Sequence, residues 1–217
     1  ACSNIKDVER GKQIHNEIVD KYILEKKIAL GNALVDMYVK CGALSRAKQV
    51  LEELSVRDIV SWSSLIAGYA QEGKGHEALD CFEQMEREGL SADDVTFICI
   101  LKACGNLRAI EKGMQIHDEI IHRDLLKKNV VLGNGLIDMY AKCGMLAKAR
   151  QVLEELHVRD VVTWNALVAG YVQHNQGHEA LNCYERMQRE GIAPNGVTFT
   201  CVLKACSSIG AINKGKQ

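Results

Sequence analysis

The sequence lacks most of the features that announce a chemistry. No apolar run approaches the roughly 20 residues that a membrane-spanning helix needs, so neither such a helix nor a membrane partner is expected. Neither sign of charge is in excess: 27 Lys and Arg stand against 28 Asp and Glu, for a net charge of −1. A nucleic-acid binder usually shows a basic balance, so any such role has to rest on where individual Lys and Arg are placed. Nine cysteines are present, but the number is odd and no CxxC pair occurs. That argues against a disulfide framework and a zinc site alike, and no metal or cofactor is expected. His76-Glu77 and His178-Glu179 begin like a zinc motif, but no HExxH follows. Strand-like alternation is weak throughout, and no long Gly/Pro/Ser linker breaks the chain.

What is present is repetition. Residues 28–58 read IALGNALVDMYVKCGALSRAKQVLEELSVRD, and residues 130–160 read VVLGNGLIDMYAKCGMLAKARQVLEELHVRD. These 31-residue stretches agree at 21 positions and are offset by 102 residues. The cysteines obey the same offset: Cys2, Cys104 and Cys206; Cys41 and Cys143; Cys81 and Cys183; Cys99 and Cys201. Small, weakly polar Cys at repeated places fits helix-packing positions in a reducing compartment. The 102-residue period divides into a 35-residue unit (59–93, recurring as 161–195), a 36-residue unit (94–129) and the 31-residue unit (28–58 and 130–160). Partial units, 1–27 and 196–217, stand at the two ends. The chain thus opens and stops inside repeats and reads as a fragment, so the lack of a targeting peptide says little about location. Its 47% apolar and 25% charged residues suit a folded chain.

Each unit reads as two helices. In unit 161–195 a first helix near 163–173 carries Trp164, Leu167, Val168 and Tyr171 at i, i+3, i+4 and i+7. A second, near 177–190, carries Ala180, Leu181, Tyr184 and Met187 on one face. Residues 175–177 supply the turn between them, Gly191 a C-terminal cap and Pro194 a stop. In the 31-residue units Leu132, Leu136, Met139 and Tyr140 mark the first helix; after a break at Cys143-Gly144, Ala149, Val152, Leu153 and Leu156 mark the second. In the 36-residue unit the markers are Phe97, Leu101 and Cys104, then Ile116, Ile120 and Ile121. One helical hairpin cannot bury its apolar stripe alone, so neighbours must stack. The expected fold class is all-α, an α-solenoid of helix-turn-helix repeats.

The stretch WNALVAGYVQHNQGHEALNCYERMQREGIAPN (164–195) resembles the pentatricopeptide repeat, as does WSSLIAGYAQEGKGHEALDCFEQMEREGLSAD (62–93). The alternation of unit lengths, with the phrases LIDMYAKCG and VTFxxxLKAC, is similar to the PLS subtype found mainly in land plants. The resemblance spans the whole chain. In its terms 28–58 and 130–160 are S units, 59–93 and 161–195 are P units, 94–129 is an L unit, and 1–27 and 196–217 are partial L units. The tetratricopeptide repeat is the nearest competitor. Trp164-x2-Leu167 with Tyr171, and Ala180-x3-Tyr184, partly match it, but the unit lengths depart from its regular period of about 34.

The resemblance implies a right-handed superhelix, a location in the mitochondrion or chloroplast, and sequence-specific binding of single-stranded RNA with one base read per repeat. Its implied role is the targeting array of an organellar C-to-U RNA editing factor. Proteins of this subtype often carry a C-terminal cytidine-deaminase-like domain, whose zinc signature joins an HxE to a later CxxC. No such combination occurs here, so this chain is expected to supply address rather than catalysis.

In that family the fifth residue of a repeat and its last residue select the base. The pairs here are Asn32 with Asp58, Ser63 with Asp93, Ile98 with Asn129, Asn134 with Asp160, and Asn165 with Asn195. By the family's correspondence Asn with Asp favours U, Ser with Asp favours G, and Asn with Asn favours C over U. The implied site is 5′-U-G-N-U-C/U-3′, with the RNA parallel to the chain. Its N faces Ile98 and Asn129, because Ile98 has no polar group with which to read an edge. Val60, Val131 and Val162 are expected as apolar walls against the base planes. Lys40 and Lys142 in the S units, and Lys102 and Lys204 in the L units, are expected phosphate contacts. Apart from the resemblance, Asn165 lies about 100° round its helix from Trp164, off the packed face. A short amide there can both donate to and accept from a Watson–Crick edge.

Plainer readings stand beside these. Asp58, Asp93, Asp160 and Asn195 each precede a helix, where Asp and Asn are favoured as N-caps. Asn32, Asn134 and Asn165 have a second reading as solvated residues on an exposed helix face. For the chain as a whole, a helical-repeat scaffold for a protein partner suits the near-neutral charge, while the ordered Asn/Ser–Asp/Asn pairs suit RNA. The L units, with apolar Ile98 in the reading place, are the candidates for contact with protein editing partners.

Overall fold

The computed structural model describes residues 8–20, 28–127 and 129–210. Among these residues there are twelve helices and no strand. The first helices of successive pairs are α2 (Ile28–Lys40), α4 (Ile59–Gln71), α6 (Asp94–Leu107), α8 (Val130–Lys142), α10 (Val161–Gln173) and α12 (Gly196–Ser208). The second helices are α1 (Val8–Asp20), α3 (Leu44–Glu53), α5 (Gly75–Arg87), α7 (Ile110–His122), α9 (Leu146–Glu155) and α11 (Gly177–Arg189). The fold is an α-solenoid, as the repeat length requires. It separates into two compact parts, Ala1–Ala103 and Cys104–Gln217. Below, the 31-, 35- and 36-residue units are called short, middle and long.

First and second helices differ in how much of their circumference they bury, and the sequence difference explains it. Helix α4 buries Ser61, Trp62, Ser63, Leu65, Ile66, Gly68, Tyr69 and Ala70, which is most of its surface. Helix α5 buries only Gly75, Ala78, Cys81, Phe82 and Met85, a single stripe at i, i+3, i+4 and i+7 spacing. The cause is the stacking. In the first part, α2 packs on α3 and on α4, and α4 packs on α5; in the second, α8 packs on α9 and α10, and α10 on α11 and α12. A first helix is thus enclosed by its own partner and by the first helices of neighbouring units. A second helix keeps one face in water.

The helix ends are set by local chemistry. Asp58 and Asp160 cap α4 and α10, each in a reciprocal capping box with Ser61 or Thr163. The helix expected near 163–173 consequently begins two residues earlier, at Val161. The break at Cys143-Gly144 is a left-handed residue, Gly144 at φ +79°, whose N–H donates to Ala141 O while Met145 N–H donates to Tyr140 O. In the middle unit of the second part the same role falls to Asn175, at φ +57°, a residue type that tolerates this conformation.

The expected packing stripes are found, with two corrections. Ile121 is 48% exposed, because Ile116 and Ile120 already occupy the buried stripe of α7 and residue 121 lies about 100° round it. Tyr184 is half-buried rather than part of the core. Its hydroxyl accepts from Gln188 Nε2 at the surface, while Met187 fills the interior. Among the described cysteines, Cys81, Cys104 and Cys206 are buried, the other five are half-buried, and all are free thiols. Burial pushes the Cys104 thiol up to about 12 and those of Cys81 and Cys183 up to about 11, far from nucleophilic thiolates. No group of residues able to hold a metal occurs among the described residues. Cys2 lies outside them.

Within the short units the chain closes on a glycine. A Cβ on Gly133 would stand 2.5 Å from Leu156 Cδ2, and one on Gly31 would stand 2.6 Å from Leu54 Cδ2. The leucine that follows each short unit's second helix therefore packs directly on the backbone of that unit's first helix. Gly133→Ala is expected to destabilise the protein by ~1–2 kcal/mol, overpacking outweighing the gain in helix propensity. Gly196→Ala, where the added methyl meets nothing within 4 Å, is expected to be neutral or slightly stabilising. Urea unfolding midpoints of the two variants check the contrast.

Candidate nucleic-acid interface

Each candidate pair is built from one helix start and one helix interior. The fifth residue of a unit lies in the second turn of its first helix. The last residue of the same unit lies just before the next unit's first helix. Stacking of those two helices brings the pair together. Asn32 Nδ2 donates to Asp58 Oδ2 at 3.0 Å, and Asn134 Nδ2 donates to Asp160 Oδ1 at 3.4 Å. Asn165 Nδ2 donates to Asn195 Oδ1 at 3.1 Å, and Ser63 Oγ to Asp93 Oδ1 at 3.4 Å. These residues are 26 or 30 positions apart in the chain, so only the stacking makes the contact.

The reading of the amides as solvated surface residues is therefore wrong for this fold. Ser63, Asn134 and Asn165 are each only 8% exposed, and Asn32 is half-buried. The N-cap reading holds at the same time as the pairing. Asp58 accepts from Ser61 N at 2.9 Å, Asp93 from Thr96 N at 2.8 Å and Asp160 from Thr163 N at 2.8 Å. Asn195 accepts from Val197 N and Thr198 N at 3.0 and 3.1 Å. One short side chain thus caps a helix and grips the residue across the step. At the remaining pair, Asn129 caps α8 through Val131 N at 2.9 Å, while Ile98 is apolar and half-buried.

Electrostatics follow from that double use. Burial pushes the Asp58 and Asp160 carboxyls up, but the hydrogen bonds from the Ser61 or Thr163 backbone and hydroxyl and from the paired amide outweigh it. Both carboxyls lie below the usual range as a result. Two atoms are left without partners. Asn32 Oδ1 and Asn134 Oδ1 are buried and accept no hydrogen bond, a deficit that costs ~1–3 kcal/mol apiece until something donates to them.

The expected stacking valines are large apolar side chains held in water: Val60 is 56% exposed, Val131 50% and Val162 53%. The same place in the long units carries Val95 at 55% and Val197 at 57%. Those two were not among the expected residues, although their second position and 102-residue offset already marked them. Lys40 and Lys142 are engaged by carboxylates one turn back on their own helices, Asp36 at 2.8 Å and Asp138 at 2.7 Å, and Lys142 also donates to Asn106. Lys102 and Lys204 are exposed, with no ion pair among the described residues. Exposed pairs of this kind are worth under ~1 kcal/mol, so a phosphate can displace the carboxylate.

Other polar clusters lie off these pairs. Clefts of about 260 and 240 Å³ sit beside Trp62 and Trp164, and none of the candidate residues lines either. Their ions are largely paired: Arg57 with Glu88, and Arg186 with both Glu154 and Glu190. The triplets His15-Asn16-Glu17 and His117-Asp118-Glu119 do have HxE spacing. Their histidines are packing residues, with Nδ1 of each against a tyrosine hydroxyl, Tyr38 at 3.1 Å and Tyr140 at 2.8 Å.

Residues 57–106 and 159–208 match the PPR repeat family, and residues 32–59 and 134–161 match the PPR repeat. The chain belongs to the PPR repeat family. It is 38% identical over its full length to a pentatricopeptide repeat-containing protein of Arabidopsis thaliana named as chloroplastic, of which it covers 35%. It is also 38% identical over its full length to one from the same plant named as mitochondrial, of which it covers 21%. Those names agree with the organellar location expected from the sequence, and they state no catalytic activity. The chain spans about a third or less of the length of these relatives. The crystal structure of the maize pentatricopeptide repeat protein PPR10 superposes with a TM-score of 0.77 at 22% identity, covering 99% of this chain and 31% of that one. PPR10 in complex with an 18-nt psaJ RNA element superposes with a TM-score of 0.73, again at 22% identity, covering 99% and 32%.

The depressed carboxyls make a pH prediction for this PPR array. Asp160 has a folded pKa below its unfolded value near 3.8, so its contribution is complete above that value and is lost as pH falls through the folded pKa. Asp160→Asn keeps a good N-cap but cannot titrate. Between pH 5 and pH 3 the wild type is expected to lose more of its urea midpoint than Asp160→Asn does.

Proposed function

We propose that this array binds single-stranded RNA in a base-specific manner, one base per repeat, at a site of the form 5′-U-G-N-U-C/U-3′. The observation that carries the reading is the recurrence, at every step where both residues are polar, of one arrangement. A buried or half-buried Asn or Ser faces an Asp or Asn across the step, and the second place of the unit entered or left carries a valine held in water. Valines held half in water at the second place of units 59–93, 130–160 and 161–195 (unit 28–58 has Ala29 there) gain nothing in the free protein, whereas a base laid on one removes apolar surface from water. The unpartnered Asn32 and Asn134 carbonyls suit a base edge with a donor, as uracil N3–H provides. Ile98 offers no such edge, in keeping with an unread base at that repeat. The RNA complex of PPR10, a protein of the same fold, supports RNA as the ligand class.

Within that reading the units correspond to the S, P and L types. The array serves as the address of an organellar C-to-U editing factor, with the long units available to protein partners. Lys40, Lys142, Lys102 and Lys204 contact phosphates. The near-neutral charge limits the electrostatic part of the affinity, with a salt slope of about −0.7 per phosphate neutralised. Binding that is weak, salt-sensitive and equal for all sequences would favour the protein-scaffold alternative.

The decisive experiment exchanges one reading residue. The wild type is expected to bind RNA containing UGNUC more tightly than the same RNA with G replaced by U at the second position. Ser63→Asn converts that pair to the combination found at Asn32 with Asp58 and is expected to reverse this preference, leaving the other positions as they were. Filter-binding titrations of both proteins on both RNAs read the result. An unchanged ratio would remove Ser63 from base reading.

A further inference from the structure

We propose that the third residue of each long unit, Thr96 and Thr198, is a positioning residue that sets whether the preceding reading residue donates to or accepts from its base. This inference rests on the base-reading function proposed above and extends it to residues outside the Asn/Ser–Asp/Asn pairs.

The observation is a difference between two kinds of step that is the same in both parts of the chain. At the short-to-middle steps the third residue of the incoming helix keeps its hydroxyl to itself. Ser61 Oγ donates to Asp58 O at 2.9 Å, and Thr163 Oγ1 donates to Asp160 Oδ1 at 2.9 Å. The facing amide carbonyls, Asn32 Oδ1 and Asn134 Oδ1, are left buried and open. At the middle-to-long steps the hydroxyl contacts its own cap, Asp93 Oδ1 at 2.7 Å or Asn195 Oδ1 at 3.2 Å, and in addition reaches across. Thr198 Oγ1 donates to Asn165 Oδ1 at 2.7 Å, and Thr96 Oγ1 lies 2.6 Å from Ser63 Oγ.

The sense of each bond follows from counting protons. Asn195 Oδ1 accepts from Val197 N and Thr198 N, so it must be the oxygen, and the Asn165 atom facing it at 3.1 Å must be the amide nitrogen. The Asn165 carbonyl then points at Thr198, whose single hydroxyl proton it takes. What Asn165 has left for a base is its second amide N–H, a donor. Cytosine presents an acceptor at N3, where uracil presents N3–H. Asn32 and Asn134 keep the same second N–H but add an open carbonyl, the acceptor that uracil N3–H needs.

The same count applies at the other middle-to-long step. Thr96 Oγ1 donates to Asp93 Oδ1 at 2.7 Å, and the single Ser63 proton goes either to Thr96 Oγ1 at 2.6 Å or to Asp93 Oδ1 at 3.4 Å. Ser63 has then spent its only proton and faces the ligand as an acceptor. Guanine offers N1–H and N2–H donors to such a group, whereas adenine offers an acceptor at N1. The hydrogen bonds of the middle-to-long steps therefore leave Asn165 a donor and Ser63 an acceptor.

The test uses the whole chain with RNAs that differ only at the fifth base, UGNUC and UGNUU, and two variants, Thr198→Val and Thr198→Ser. The wild type is expected to favour C at that base. Thr198→Val, which frees the Asn165 carbonyl, is expected to lower the C-to-U affinity ratio about tenfold, the scale of one buried hydrogen bond. Thr198→Ser restores the hydroxyl and is expected to restore the ratio. The first four bases, read in parallel with single-base exchanges, are expected to be unchanged in all three proteins, which shows that the variants are folded. If the first four bases are read normally but Thr198→Val keeps the wild-type ratio, or the wild type favours U at the fifth base, the positioning role is overturned and base reading stands. If the wild type distinguishes no base at any position, base reading itself has failed, and this inference fails with it.

Discussion

A helix with one apolar stripe can be covered by one partner; a helix that is apolar most of the way round cannot. Helices α4, α8 and α10 are of the second kind, and everything else in the structure follows from the need to enclose them. Each packs on its own second helix, and first helices pack on one another from unit to unit. Each fully buried Leu, Ile or Phe in that stack is worth roughly 1.5–3 kcal/mol. The close approaches at Gly31 and Gly133 show how little room the packing leaves.

The same stacking builds the interface. It places the start of one first helix beside the interior of the one before, which is the one place where a capping residue can also face a side chain about thirty positions away. Asp58, Asp93, Asp160 and Asn195 each take on both tasks. Helix capping and the proposed base reading therefore do not compete for these residues. The cap holds the carboxylate or amide in place, and the residue across the step is oriented by what the cap has left unbonded. Backbone donors at a helix start thus fix the geometry of the polar group across the step without any loop to order.

The long units behave differently at their two ends. Their incoming step, from a middle unit, is the most heavily hydrogen-bonded in the structure, with Thr96 and Thr198 reaching across it. Unit 94–129 itself has apolar Ile98 at its fifth place, and the short units carry Leu30 and Leu132 at the third place where the middle and long units carry a hydroxyl. The alternation in unit length is accompanied by an alternation in polar grip, so a ligand laid along the array meets steps that differ in kind as well as in residue.

Much of this was legible in the chain by itself, because it depends on period. The 102-residue offset, the 3.6-residue spacing of Trp164, Leu167, Val168 and Tyr171, and the Asp or Asn before each middle and long first helix determine helices, turns and stacking without reference to coordinates. The polar pairs that meet across the steps were also identifiable, since repeat position is a property of sequence. Burial at positions that share a stripe with a better-placed neighbour was not: Ile121 and Tyr184 look like core by spacing and are partly or largely in water. Nor was the direction of the hydroxyls. Ser61, Thr96, Thr163 and Thr198 occupy the same place in their units and all contact their own cap, yet only Thr96 and Thr198 also reach across. That choice depends on distances of a few tenths of an ångström between helices brought together by folding, and only the tertiary structure sets those.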